Sequence, residues 1–156
     1  MHVPRQIATH LRHLYHGVNS TGVNFSETIS GITWQEGMTQ VDDLNTIAVL
    51  IFHVDYYVGG LTEVLRGGDL TIRDKYSFDL PPIETDRDWQ NFLGRFFANG
   101  ETFARLIEQL PAETLSAGFV KEAYGNYYRN LQGFIEHAHY HLGQIVLLKK
   151  IIRGRR

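Results

Sequence analysis

His137 and His141 stand four residues apart in the stretch Gln132-Gly-Phe-Ile-Glu-His-Ala-His-Tyr-His-Leu-Gly-Gln144. On an α-helix, four residues at about 100° each return to within about 40° of the starting direction, so both imidazoles leave one strip of the surface and can address one metal ion. His139, between them, points about 160–200° away and is a bystander. A pair on one helix needs a third donor from another element, and His53 is the best placed. It interrupts the apolar run Ile47-Ala-Val-Leu-Ile-Phe-His-Val54, and its same-face neighbours are Val49, Leu50, Tyr56, Tyr57 and Gly60. A histidine in that company does not face bulk water. Three neutral imidazoles leave a coordination position open, as in catalytic rather than structural sites, where zinc draws the pKa of bound water towards neutrality.

Spacing alone leaves the bland alternative open. His53 can be a core histidine bonded to a backbone carbonyl or a tyrosine, and the pair can be two satisfied histidines beside the core. Rival histidines exist as well. His10, His13 and His16 recur every three residues, but His13 and His16 lie about 130° and 180° from the apolar centre of their helix and are expected in solvent. His10 lies nearer the buried edge and can border a pocket, whereas His2 falls at a fraying end.

The elements that must position these side chains are helical. The first helix is predicted from Pro4, a residue suited to a first turn, to about Asn19, with Ile7, Leu11, Leu14 and Val18 as its buried stripe. The segment Ser20 to Thr28 reads as a loop or a short turn of helix. A second helix is expected from Val41-Asp-Asp-Leu to Arg66, stopped by Gly67-Gly68 and apolar nearly all round, hence central. From Asp69 to Thr85 the chain is irregular, with Pro81-Pro82 barring a helix. Thr85-Asp-Arg-Asp caps a third helix through Trp89, Phe92, Leu93, Phe96, Phe97, Phe103 and Leu106 to Leu110, weakened slightly by Gly94 and Gly100 and ended by Pro111. Phe119 to Tyr124 can be extended. The fourth helix runs from Arg129 or Asn130 to Arg153, with Leu131, Phe134, Ile135, Ala138, Leu142, Ile145, Val146 and Ile152 facing the core. Four such helices predict an all-α, four-helix bundle in one domain, residues 1–156, with connections of about 20 residues long enough to line a pocket.

Composition narrows the chemistry further. Of 156 residues, 43% are hydrophobic and 21% charged, so the chain can bury a core, and a net charge of −2 offers no footprint for nucleic acid. The one basic cluster, Lys149, Lys150, Arg153, Arg155 and Arg156, reads as a solvated helix end suited to the helix dipole. With no cysteine, disulfides, thiolate ligands and a cysteine nucleophile are all excluded, and any metal rests on His, Asp and Glu. No signal peptide or run of about 20 apolar residues is evident, so a cytoplasmic protein without a membrane span is expected.

A histidine in an apolar second helix, followed some eighty residues later by His-x-x-x-His-x-Gly-Gln on the last helix, resembles the DinB superfamily, the DinB/YfiT-like putative metal-dependent hydrolases. The resemblance covers essentially the whole chain and is most specific at His137-Ala-His-Tyr-His-Leu-Gly-Gln144. It implies an antiparallel four-helix bundle holding a divalent metal ion (zinc, nickel or iron) on His53, His137 and His141. Gln144 matches the family's glutamine and is expected to anchor a neighbouring helix, or else to reach the shell behind the metal ligands. Many members carry arginine just before that Gly-Gln where this chain has Leu142, so a substrate role borrowed from the arginine does not transfer. Characterised relatives include transferases and isomerases that use low-molecular-weight thiols, and relatives are often homodimers. The resemblance therefore implies a metal-dependent enzyme, either a thiol S-transferase or a hydrolase that activates water at the metal. The alternative is a non-catalytic, metal- or ligand-binding, oligomerising bundle tied to stress. No general base is legible, because Glu136 is turned about 100° from His137. The aromatics of the third helix, Trp89, Phe92, Phe96 and Phe97, can serve as core or as a dimer interface.

Overall fold

The computed structural model describes residues 2–154, so Arg155 and Arg156 of the basic cluster lie outside the described residues. Among those residues the chain is all-α: six helices and no strand, with two isolated bridges, Val41 with Leu44 and Gly118 with Asn126. Four helices are long: α1 (Val3–His16), α4 (Ile47–Leu65), α5 (Asp86–Glu108) and α6 (Tyr127–Gly154). Two are single turns in the first connection, α2 (Phe25–Ile29) and α3 (Trp34–Met38). The long helices contact one another in the cyclic order α1, α5, α4, α6, around one hydrophobic core to which all four contribute.

Local chemistry explains most boundaries and the places where they depart from expectation. Pro4 sits in the first turn of α1, and Ile7, Leu11 and Leu14 are buried. The helix stops at His16, with Gly17 donating back to the His13 carbonyl, so Val18 leaves the stripe assigned to it and is 89% exposed. Helix α4 starts six residues later than expected. Asp42 takes a left-handed conformation (φ 46°) in a turn closed between Val41 and Leu44, which ends any helix there. The N-cap is Thr46 instead, its hydroxyl accepting from the Val49 amide at 3.2 Å. At the other end Gly67 has φ 87° and lets Gly67 and Gly68 donate back to Val64 and Glu63, the expected glycine stop.

Helix α4 also corrects one expectation about membranes. This 19-residue helix contains an 18-residue stretch with a mean hydropathy of 1.3, long and apolar enough to cross one, and 61% of that stretch is buried inside the fold. The neighbours α5 and α6 cover it, and its apolar surface forms the core that carries His53.

Helix α5 opens with the capping box of Thr85 and Asp88 and buries Trp89, Phe92, Phe96 and Phe103. These aromatics are core, with Phe97 half-buried beside them, so they are not available as a dimer face. Gly100 is required rather than tolerated: a Cβ there would lie 2.3 Å from the Tyr15 ring, and its absence lets α1 and α5 close on each other. The basic end of α6 is less solvated than expected. Lys149 donates to the carbonyls of Thr28 and Ser30, and Arg153 donates to Gly31 and pairs with the buried Glu36 at 3.3 Å, tying the end of α6 to the α2–α3 segment.

Candidate metal centre

His53 lies in the first half of α4, and His137 and His141 lie one turn apart on the face of α6 that packs against it. The three rings converge, with centroids 5.0 Å apart for His53 and His137, 4.7 Å for His53 and His141, and 4.5 Å for His137 and His141. One ring nitrogen from each lies within 4.8 Å of the other two. No other group of three or more histidines or carboxylates among the described residues comes together in this way.

Hydrogen bonds decide which nitrogens face inward. The Ser77 carbonyl can only accept, so the His53 contact at 3.2 Å places a proton on His53 Nδ1 and leaves Nε2 with its lone pair. At His141, Nδ1 donates to Gln144 Oε1 at 2.7 Å, which frees Nε2 in the same way. A carbonyl behind each ligating imidazole is the usual device for fixing its tautomer and aim. His53 Nε2 and His137 Nε2 are 3.0 Å apart. Two imidazole nitrogens on a tetrahedral zinc stand about 3.3 Å apart, so this pair needs little adjustment to share an ion. The donor set fits the group: nitrogen ligands only, two of them oriented from behind.

Electrostatics favour the neutral, ligating form. Burial is the main cause in all three. It lowers the His137 pKa to about 4, helped by repulsion from His141 and then His53. Burial and then His141 lower His53, against the opposing pull of the Ser77 carbonyl and Asp74. Burial lowers His141, opposed by its bond to Gln144. At neutral pH these imidazoles carry no proton that an ion must displace from the inner nitrogens of His53 and His141. A group of three His, Asp or Glu held this way could bind a metal ion, and histidine chemistry does not select which one.

Other sequence expectations resolve clearly. His139 does not join the cluster; its Nδ1 donates to the Ile135 carbonyl at 3.0 Å. His10 borders a different cleft, between α1 and α6, with His13, Glu136 and His139 around it. His16 is exposed, as expected, and its ring packs on Phe97. Glu136 is exposed, and Leu142 is fully buried in the core. Gln144 accepts from His141 Nδ1, and its side chain makes no hydrogen bond to another helix among the described residues.

Sequence reasoning missed two participants. Ser77 and Phe78 come from the irregular connection after α4, where Phe78 stacks on His53 with 4.1 Å between centroids and 12° between planes. No side-chain pattern signals a backbone carbonyl, so the Ser77 contact was not legible. Tyr57, named from the sequence as a same-face neighbour of His53, joins them: its ring meets both His53 and His137 at 5.1 Å between centroids, and its hydroxyl donates to Asp74 at 2.8 Å. Its i+4 spacing from His53 was a usable signal. A cleft of about 420 Å³ opens beside His137, with Tyr57 and Phe134 in its wall.

No family model, curated protein or solved structure matches this chain.

Proposed function

We propose that this protein is a divalent-metal-dependent enzyme of the DinB type, an antiparallel four-helix bundle in which His53, His137 and His141 hold zinc, nickel or iron. The reading is carried by one observation: two helices far apart in sequence deliver three imidazoles to one point, with the proton of His53 and of His141 held on the outer nitrogen by a carbonyl. Held by His53, His137 and His141, such an ion would supply Lewis acidity that favours the deprotonated form of a thiol or a water near neutral pH. The proposed reaction is transfer of a low-molecular-weight thiol to an electrophile, or hydrolysis at the same position.

The chain's own residues do the rest. Ser77 and Gln144 hold the imidazoles against rotation, which keeps the open direction fixed. Phe78 covers one face of His53 and limits the approach of water on that side. The 420 Å³ cleft beside His137 is of the size that takes a small molecule.

The test is elemental analysis of purified protein beside His53→Ala and His141→Ala. Metal in the parent and its loss in both variants, with the helical circular dichroism retained, supports the centre; equal metal in all three ends the reading. Monochlorobimane then separates the reactions, since turnover that requires added thiol marks the transferase and turnover without it the hydrolase. Retained metal with no turnover across thiols and electrophiles would assign a non-catalytic role.

A further inference from the structure

Along α6, Arg129, Gly133 and His137 follow one another at intervals of four, so a cation, a gap and a proposed metal ligand share one strip of the helix. All three line the 420 Å³ cleft. The gap is real: a Cβ on Gly133 would meet no atom within 4 Å. The floor and sides are largely apolar, with Leu61, Ile72 and Phe119 among them.

Two lining residues, Asp74 and Arg129, are of charged type, and they differ in commitment. The Asp74 carboxylate accepts the Tyr57 hydroxyl at 2.8 Å. Arg129 forms no ion pair among the described residues. An apolar cleft whose uncommitted charge is a guanidinium selects for a molecule with an apolar body and an anionic group, because Arg recognises carboxylate, sulfonate and phosphate through paired N–H donors. Eight residues separate Arg129 from His137, about 12 Å along the helix axis, so the anionic group and the end facing the histidines belong to opposite ends of the same small molecule.

We infer that this cleft binds a small amphipathic anion, with Arg129 receiving its charged group and the missing side chain of Gly133 making room for its apolar body. The inference deepens the proposed function, since it rests on His137 as a metal ligand for which end of the molecule meets the chemistry. Binding in the cleft itself does not need the ion, and the two readings can therefore fail separately.

The experiment titrates two fluorescent probes of one shape, 1-anilinonaphthalene-8-sulfonate and the uncharged N-phenyl-1-naphthylamine, into metal-free and zinc-loaded protein. In the metal-free parent the sulfonate should bind about tenfold more tightly than the neutral probe, the worth of one charge-assisted contact. Arg129→Gln should remove that advantage and leave the neutral probe unchanged, while Arg129→Lys keeps part of it. Gly133→Leu, which favours the helix and fills the gap, should weaken both probes at least about tenfold. Equal affinity for the two probes, an advantage that survives Arg129→Gln, or indifference to Gly133→Leu would overturn the inference. Metal content measured on the same samples reports on the histidines separately: Arg129-dependent binding in a protein that holds no metal removes the centre and keeps the cleft.

Discussion

Helix α6 carries histidines on two faces, and the two faces differ in everything but residue type. His137 and His141 look towards α4, where a third histidine waits and carbonyls of Ser77 and Gln144 set the tautomers. His139 looks towards α1, where His10 and His13 border a cleft of about 710 Å³, and there no three donors converge. His139 spends its Nδ1 on its own helix, at Ile135, and its Nε2 is buried without a protein partner. The α1 face holds as many imidazoles as the α4 face. A site therefore depends on what stands behind each ring and across from it, and the number of histidines in a region says little.

That contrast can be broken most sharply by deletion. His53→Ala or His141→Ala should lower metal affinity about 100-fold or more in a competition assay with a colorimetric chelator, because an open three-ligand site has no spare donor. His10→Ala and His13→Ala should leave it within about twofold; a matching loss there would mean that the wrong face has been assigned.

Acid should come next. All three inner histidines prefer the neutral form in the fold, so the unfolded chain takes up protons first as pH falls. Stability of the metal-free protein should be fully present above the ordinary histidine pKa of 6.5 and be lost progressively towards about 4, the folded value of His137. Melting temperatures in chelator at pH 7.5 and 4.5 read the effect, and His137→Leu should reduce the difference. An unchanged acid response in that variant would show that other groups set it.

The α1 side should instead answer in stability. Gly100→Ala places a methyl 2.3 Å from the Tyr15 ring and forces α1 from α5, at a cost of about 1–3 kcal/mol. The expected result is a lower melting temperature with metal affinity unchanged; an equal fall in affinity would couple the two faces. Gln144→Ala is the finest probe, with about a tenfold loss of affinity expected from a His141 ring free to turn. No loss would reduce that glutamine to a spectator.

Much of this was legible in the sequence because period and spacing carry it. The stripe Ile7, Leu11, Leu14, the Thr85 cap and the Gly67-Gly68 stop marked long helices to within a few residues. The start of α4 escaped because Asp42 and Asp43 imitate an acidic first turn, while the deciding fact is a left-handed φ at Asp42 that only a closed turn reveals. The single-turn helices α2 and α3 are too short for periodicity to register. At the centre, the four-residue interval and the apolar setting of His53 pointed to the three rings. The parts supplied by backbone, such as the Ser77 carbonyl, and by a connection without pattern, such as Phe78, had no sequence signature.

The contact between His53 and His137 bridges positions 84 residues apart in the chain. An ion shared by those two rings would act as a removable crosslink, closing that long loop in every conformation in which it stays bound. Its benefit falls on the unfolded ensemble as well as the folded one, since a chain tied at two distant points has fewer ways to come apart. Release of the ion would loosen α4 from α6, so the three nitrogens proposed to hold it would also govern how long the fold survives.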